Sequence, residues 1–235
     1  MPSAKLALIA GACAVLALPA AFTGVRVAAA QAAPASALPA PQADASPAQP
    51  GKMQTAVLSG GCFWGVQGVF EHVKGVKKVY AGYAGGPGAA ANYELVSTGT
   101  TGHAESVQIT YDPREISYGE VLRIFFTVAT DPTQLNHQFP DEGPQYRGEI
   151  FYANPDQKRV AEAYIHQLNA VHVFSKPIAT RVDPLKGFYK AEDYHQDYLV
   201  RHPSQPYIAT YDLPKVAMLK QAFPDHYRAA PITVF

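Results

Sequence analysis

The 235-residue chain has two cysteines, Cys13 and Cys62, and only the second lies outside an N-terminal stretch with the build of a secretory signal. Lys5 supplies the positive start, Leu6 to Phe22 (LALIAGACAVLALPAAF) is apolar, and Ala28-Ala29-Ala30 offers a small-residue cleavage site. Cleavage over residues 1–30 predicts an exported, periplasmic or secreted protein; a retained membrane anchor and a lipid-modified Cys13 are the alternatives. The mature chain then holds one thiol and cannot close an internal disulfide. Its fold has to rest on a hydrophobic core alone. Hydrophobic residues at 48% and charged ones at 16% suffice for one such domain.

Residues 31–51, rich in Ala, Pro, Ser and Gln and without an aromatic, predict a disordered spacer, so the folded domain is expected over 52–235. Loss of Lys5 and Arg26 with the signal takes the formal charge from 0 to −2. With no basic run, nucleic acid is excluded as a partner.

Along the domain the apolar pattern switches repeatedly between periods. Strands are predicted at Thr55–Leu58, Val76–Tyr83, His103–Tyr111, Glu149–Tyr152 and Pro177–Val182. Helices are predicted at Phe63–Val73, from the Ser117/Glu120 capping box through Phe126, after Asn154-Pro155 with the stripe Val160, Tyr164, Ile165, Leu168 and Val171, and around Glu192–Arg201. Ala84–Asn92 and 131–147 read as loops. The mixture predicts an α/β (α+β) two-layer sandwich, a mixed central sheet flanked by helices with a long irregular C-terminal segment.

Gly60-Gly61-Cys62-Phe63-Trp64-Gly65 puts the thiol on a Gly-rich turn between a strand and a helix. Free N–H groups and the positive end of the helix dipole favour a thiolate there, as a nucleophile requires. The adjacent Phe63 and Trp64, the only tryptophan, suggest an apolar pocket for a small nonpolar group. The alternative is a cysteine that merely packs.

These residues resemble the type A peptide methionine sulfoxide reductases, whose GCFWG signature stands intact at 61–65. Further family motifs follow in order: Gly82-Tyr83-Ala84-Gly85-Gly86, Tyr93-Glu94-Leu95-Val96, Thr101-Gly102-His103-Ala104-Glu105, Tyr111-Asp112-Pro113, Asp131-Pro132 and Asp141 to Arg147 (DEGPQYR). The resemblance covers roughly residues 54–203. It implies that Cys62 attacks the sulfoxide sulfur and that Glu105 protonates the oxygen. Tyr93 and Tyr146 would hydrogen-bond that oxygen, and Phe63 and Trp64 would hold the S-methyl group. Asp141 and His103 would help bind substrate, with His103 and Arg147 also bracing the site from behind. It further implies reduction of the S epimer of methionine sulfoxide, free or in proteins, through a sulfenic acid. The enzyme would work as a monomer with no metal or organic cofactor. The chemistry is consistent with this: a sulfoxide oxygen is a poor leaving group, and a carboxyl kept protonated by burial can donate to it.

Two features depart from the family. No cysteine follows Cys62, so no internal thiol can resolve a sulfenic acid, and an external thiol such as thioredoxin, glutaredoxin or glutathione is expected to do so. Gln67 stands where Glu is frequent, with a structural consequence expected. Two other activities are compatible with the residues: a Cys62 hydrolase using His103 or His195, and a zinc site on His103-x-Glu105. Neither carries a complete motif. A noncatalytic binder of oxidised methionine is the third.

Overall fold

The computed structural model describes residues 36–45 and 51–235. The signal expected over 1–30 lies outside the described residues. The strands are β1 (Gln54–Gly60), β2 (Val76–Ala84), β3 (Ala104–Tyr111), β4 (His137–Gln138), β5 (Asp141–Glu142), β6 (Gly148–Tyr152), β7 (Arg181–Pro184) and β8 (Phe188–Lys190). The α-helices are α1 (Phe63–Glu71), α2 (Tyr93–Val96), α3 (Tyr118–Ile124), α4 (Pro155–Ala170), α5 (Tyr198–Arg201) and α6 (Leu213–Ala222).

Six strands form one sheet in the order β7-β6-β1-β3-β2-β8, and β4 and β5 make a separate hairpin. Only β6 and β7 run parallel; the other pairs in the sheet are antiparallel. The sheet is therefore mixed, as expected. On one face Leu58, Val79, Val107, Ile109 and Ile150 pack with Phe63, Val66 and Phe70 of α1 and with Leu122, Phe126 and Leu168 from the helices beyond. On the other face Val57, Ala84, Ala104 and Phe151 form a smaller cluster roofed by Leu185 and Phe188.

The caps form as the sequence predicts. Glu120 N–H donates to Ser117 Oγ at 3.2 Å, and Gln157 N–H to Asn154 Oδ1 at 2.9 Å. α3 then widens into a π-turn over Phe125–Ala129 whose five residues are all buried.

Three expectations need correction. The strand read at Pro177–Val182 lies later, at Arg181–Pro184, because pairing with β6 rather than the apolar run sets its register. The helix read over Glu192–Arg201 is broken at Asp197, whose backbone is left-handed (φ 53) and whose carboxylate accepts the N–H groups of Val234 and Phe235. The C-terminal part is more regular than its composition suggests, with a π-turn at Ile208–Asp212 leading into α6.

Part of the expected disordered spacer is also ordered. Leu38 is 4% exposed and lies in the main core. Its N–H donates to Thr127 Oγ1 at 3.3 Å, and its carbonyl accepts Arg123 Nε at 2.6 Å. Tyr164 and Gln167 of α4 donate to the Pro39 and Ala40 carbonyls, each at 2.8 Å. Asp44 Oδ1 accepts the Gly119 N–H at the start of α3 at 2.9 Å. Ala- and Pro-rich sequence cannot make its own core, but one leucine and a row of free carbonyls can borrow that of the domain. The packed body thus includes residues 36–45.

Candidate active site

β1 ends at Gly60, and Gly61 turns the chain with φ +96 into the first turn of α1. A Cβ on Gly61 would lie 2.6 Å from Gln138 Cγ, so glycine is required both for the turn and for the close approach of β4. Cys62 is the N-cap of α1 and only 8% exposed. The Trp64 backbone N–H at the helix start pulls the thiol down, as the sequence predicts for that position. That pull is outweighed. Burial first, then the Glu105 and Asp212 carboxyls, push the thiol well above its ordinary value. The resting group is a protonated thiol rather than the thiolate expected from the helix end alone.

The neighbouring strand supplies Glu105. Its Oε2 accepts the Phe63 N–H at 3.0 Å, which ties it to the residue beside the thiol. Burial raises the Glu105 carboxyl to about 8 against the pull of that hydrogen bond, with Asp141 and Asp212 pushing the same way as burial. A carboxyl with a pKa of about 8 is protonated at neutral pH and can act as an acid.

Tyr93 opens α2, and Tyr146 ends the 3-10 turn before β6. Burial raises both phenols, and both also feel Glu105, Cys62 and Asp141. Cys62, Glu105, Tyr93, Tyr146 and Asp141 thus act on one another from five separate elements. Asp141 is engaged: its Oδ2 accepts the Tyr207 hydroxyl.

The aromatic wall is built on Phe63 and Trp64. Phe63 is buried against Tyr83 and His195, with ring centroids 5.9 and 5.0 Å away. Trp64 stacks on Tyr198 at 3.9 Å, meets the edge of Tyr207 at 6.2 Å, and donates its indole N–H to His195 Nδ1 at 3.1 Å.

His103 is buried and turned to the neighbouring backbone. Its Nδ1 accepts the Gly86 N–H at 3.2 Å and its Nε2 lies 3.0 Å from the Pro87 carbonyl, so both ring nitrogens are spent on the 84–92 loop. It braces that loop, the supporting part the resemblance gives it. Arg147 is a second brace: Nη1 and Nη2 bond the His103, Pro144 and Gly102 carbonyls, and Nε meets Glu149 at 2.5 Å. Gln67 has the structural part expected of it, bonding the Val79 carbonyl and the Asp197 N–H.

Among the described residues neither histidine is bonded to Cys62: His103 is occupied by the loop, and His195 takes the Trp64 indole N–H on Nδ1 and has no hydrogen-bond partner on Nε2. Among the described residues no three His, Cys, Asp or Glu side chains gather as a metal set.

Sequence reasoning missed Tyr207 and Asp212, and weighed His195 only as a base or a metal ligand. The segment 205–215 (QPYIATYDLPK) has neither helical nor strand periodicity, and its two tyrosines and Asp-x-x-Lys pair were the only available signal.

The family model described as "Peptide methionine sulfoxide reductase" matches residues 54–227. The chain is 55% identical over 187 residues to Peptide methionine sulfoxide reductase MsrA 2 of Mesorhizobium japonicum, covering 80% of this chain and 95% of the relative. It is 50% identical to MsrA 2 of Synechocystis sp., covering 82% and 91%. Among solved structures it is similar to methionine sulfoxide reductase A of Corynebacterium diphtheriae, with TM-score 0.57, 33% identity and 73% and 86% coverage. It is similar also to reduced Mxr1 from Saccharomyces cerevisiae, with TM-score 0.59, 31% identity and 68% and 91% coverage.

Proposed function

The chain belongs to the type A peptide methionine sulfoxide reductase family and reduces methionine (S)-sulfoxide with electrons from thiols, repairing oxidised proteins; from that premise we propose that Cys62 is the attacking sulfur and Glu105 its proton relay. The observation that carries this reading is the Phe63 N–H bond to Glu105 Oε2 at 3.0 Å, which fixes a buried acid beside the only cysteine among the described residues.

The sulfoxide methyl enters the wall of Phe63 and Trp64. Tyr93, Tyr146 and the Glu105 carboxyl meet its oxygen. As the Cys62 sulfur bonds the sulfoxide sulfur, Glu105 gives its proton to the oxygen and takes the proton that the thiol loses. The oxygen then passes from the substrate sulfur to the Cys62 sulfur as the S–O bond and the new S–S bond break, methionine leaves, and Cys62 is left as sulfenic acid, oxidised by two electrons as the substrate is reduced by two. Phenols steady the developing charge on oxygen without being ionised themselves. Asp141, held by Tyr207, lines the substrate side of the pocket.

No second cysteine follows Cys62, so the sulfenic acid is reduced from outside. One thiol attacks the Cys62 sulfur and releases water, and a second opens the mixed disulfide. A thioredoxin-type protein or glutathione fits this role, and no prosthetic group is needed. Lys5, the apolar run Leu6–Phe22 and the Ala28–Ala30 site support an exported enzyme.

The test is incubation of wild type and Cys62→Ser with each epimer of a methionine sulfoxide peptide plus dithiothreitol. Product is expected from the S epimer only, and only with Cys62. Turnover by Cys62→Ser, or hydrolysis without reductant, would overturn the reading.

A further inference from the structure

His195 lies under the aromatic wall, 2% exposed, in the 3-10 turn Asp193–His195 that follows β8. An indole N–H can only donate, so the 3.1 Å bond from Trp64 Nε1 requires a bare lone pair on His195 Nδ1. The imidazole is therefore neutral, with its one proton on Nε2. That N–H is buried and has no hydrogen-bond partner among the described residues. Glu192 Oε2 stands 4.0 Å from it, beyond hydrogen-bond reach. The same carboxylate is already engaged: Oε2 accepts the Tyr83 hydroxyl at 2.8 Å and Oε1 the Tyr93 N–H at 3.0 Å. His195 thus leaves one of its own nitrogens unsatisfied while it meets the indole.

The groups that face the imidazole come from three elements. Phe63 and Trp64 of α1 lie 5.0 and 5.8 Å away by ring centroids, Tyr93 of α2 lies 4.6 Å away, and Tyr194 of its own turn 4.2 Å away. Glu192 is the acid among them. Trp64 is otherwise placed by ring contacts alone, the stack on Tyr198 and the edge of Tyr207. One lone pair on His195 therefore orients the indole within the wall.

We infer that His195 is a positioning residue for the methyl wall: its uncharged Nδ1 holds the Trp64 ring in place, and acid that protonates it releases the ring and loosens the hold on substrate. A second proton would turn Nδ1 into a donor facing the indole donor, and the bond between them would be lost. The new cation would also draw on Glu192, the carboxylate that anchors Tyr93. Burial holds His195 below the ordinary histidine value against the Glu192 charge, and a bond made only by the neutral form acts the same way as burial. At such pH Glu105 keeps its proton. Activity lost in acid is then lost through binding, with the proton donor intact.

The inference rests on Trp64 lining the site for the S-methyl group, and its test reads the ring without turnover. Trp64 is the only tryptophan, so the intrinsic emission of the full-length protein reports this ring alone. Wild type is expected to show one emission transition across a pH series, with its midpoint below about 6.5. KM for an S-epimer peptide should rise over the same range by about three- to tenfold, the worth of one hydrogen bond, with kcat changing less. His195→Asn offers an amide oxygen where Nδ1 stands and cannot titrate. It is expected to keep the neutral-pH KM into acid and to show no transition. His195→Phe keeps a ring without an acceptor and should carry the raised KM at every pH. His202 packs on the Tyr198 ring at 4.4 Å, and His202→Asn should leave the transition in place. Thermal melts identify which variants fold. Wild-type emission and KM that both stay flat down to about pH 5 overturn the inference. So does a transition that persists in folded His195→Asn, one that disappears in folded His202→Asn, or a folded His195→Phe with wild-type KM. KM of Trp64→Phe tests the methyl wall separately.

Discussion

At the scale of the residue, the site works by keeping protons on groups that usually lose them. Glu105 is protonated below about 8 because burial outweighs the Phe63 N–H bond. Its acid form is therefore lost as pH rises through that value, and kcat should fall there. Glu105→Gln is expected to lower kcat by about 10²- to 10⁴-fold, the range for general acids, and to abolish the alkaline limb centred near 8. A pH–rate profile on the S epimer checks both. Tyr207→Phe removes the hydroxyl on Asp141 while keeping the ring edge on Trp64. It should raise KM more than it lowers kcat, which steady-state kinetics separates. Cys62 and Glu105 were legible in the sequence because each lies in a contiguous motif at a strand end. Tyr207 and Asp212 were not, because they reach the site from a segment without periodicity, and only tertiary packing sets them against Trp64 and Gly65. The thiol's protonation was misread for a similar reason: the helix end is visible in sequence, whereas three converging carboxyls are not.

At the scale of the element, β1, β2, β3, α1 and α4 were readable because their apolar period matches one buried face. β7 and the broken helix at 192–201 were not, since a parallel partner and a carboxylate bound to the C-terminal tail decide them. The segment 36–45 is the larger lesson. Its composition signals disorder, yet Leu38 enters a core made by α3 and α4, and its neighbours' carbonyls are claimed by Tyr164 and Gln167. Leu38→Ala should cost about 2–5 kcal/mol, as for other buried leucines. A chain begun at residue 52 should also melt lower than one begun at 31. Urea unfolding and thermal melts measure the two effects. Equal stability of the two chain lengths would return the segment to the role of a loose spacer.

At the scale of the whole molecule, a domain with Cys62 as the one cysteine among its described residues carries two buried acids that oppose alkaline conditions. Glu71, 1% exposed and beside the Asp197 carboxyl, is raised to about 9, chiefly by burial. Glu105 is raised to about 8. Both lie above the ordinary carboxylate value. Their contribution to stability is complete below that value and is lost as pH rises through the folded-state values. The melting temperature should therefore decline from mildly acidic pH toward pH 9. Glu71→Gln should flatten that decline, as a pH series of melts would record. Cys62, the one cysteine among the described residues, sets the stoichiometry as well. The central claim is that Cys62 takes the oxidising equivalent from the substrate and holds it for an outside thiol, and single turnover tests this most directly. Reduced wild-type protein is mixed with excess S-epimer peptide in the absence of any thiol, and both methionine and the mass of the Cys62 peptide are followed. The account predicts one methionine per chain and a Cys62 that gains one oxygen, trapped as sulfenic acid by dimedone. Continued turnover without thiol, or methionine release that leaves Cys62 unmodified, would contradict it.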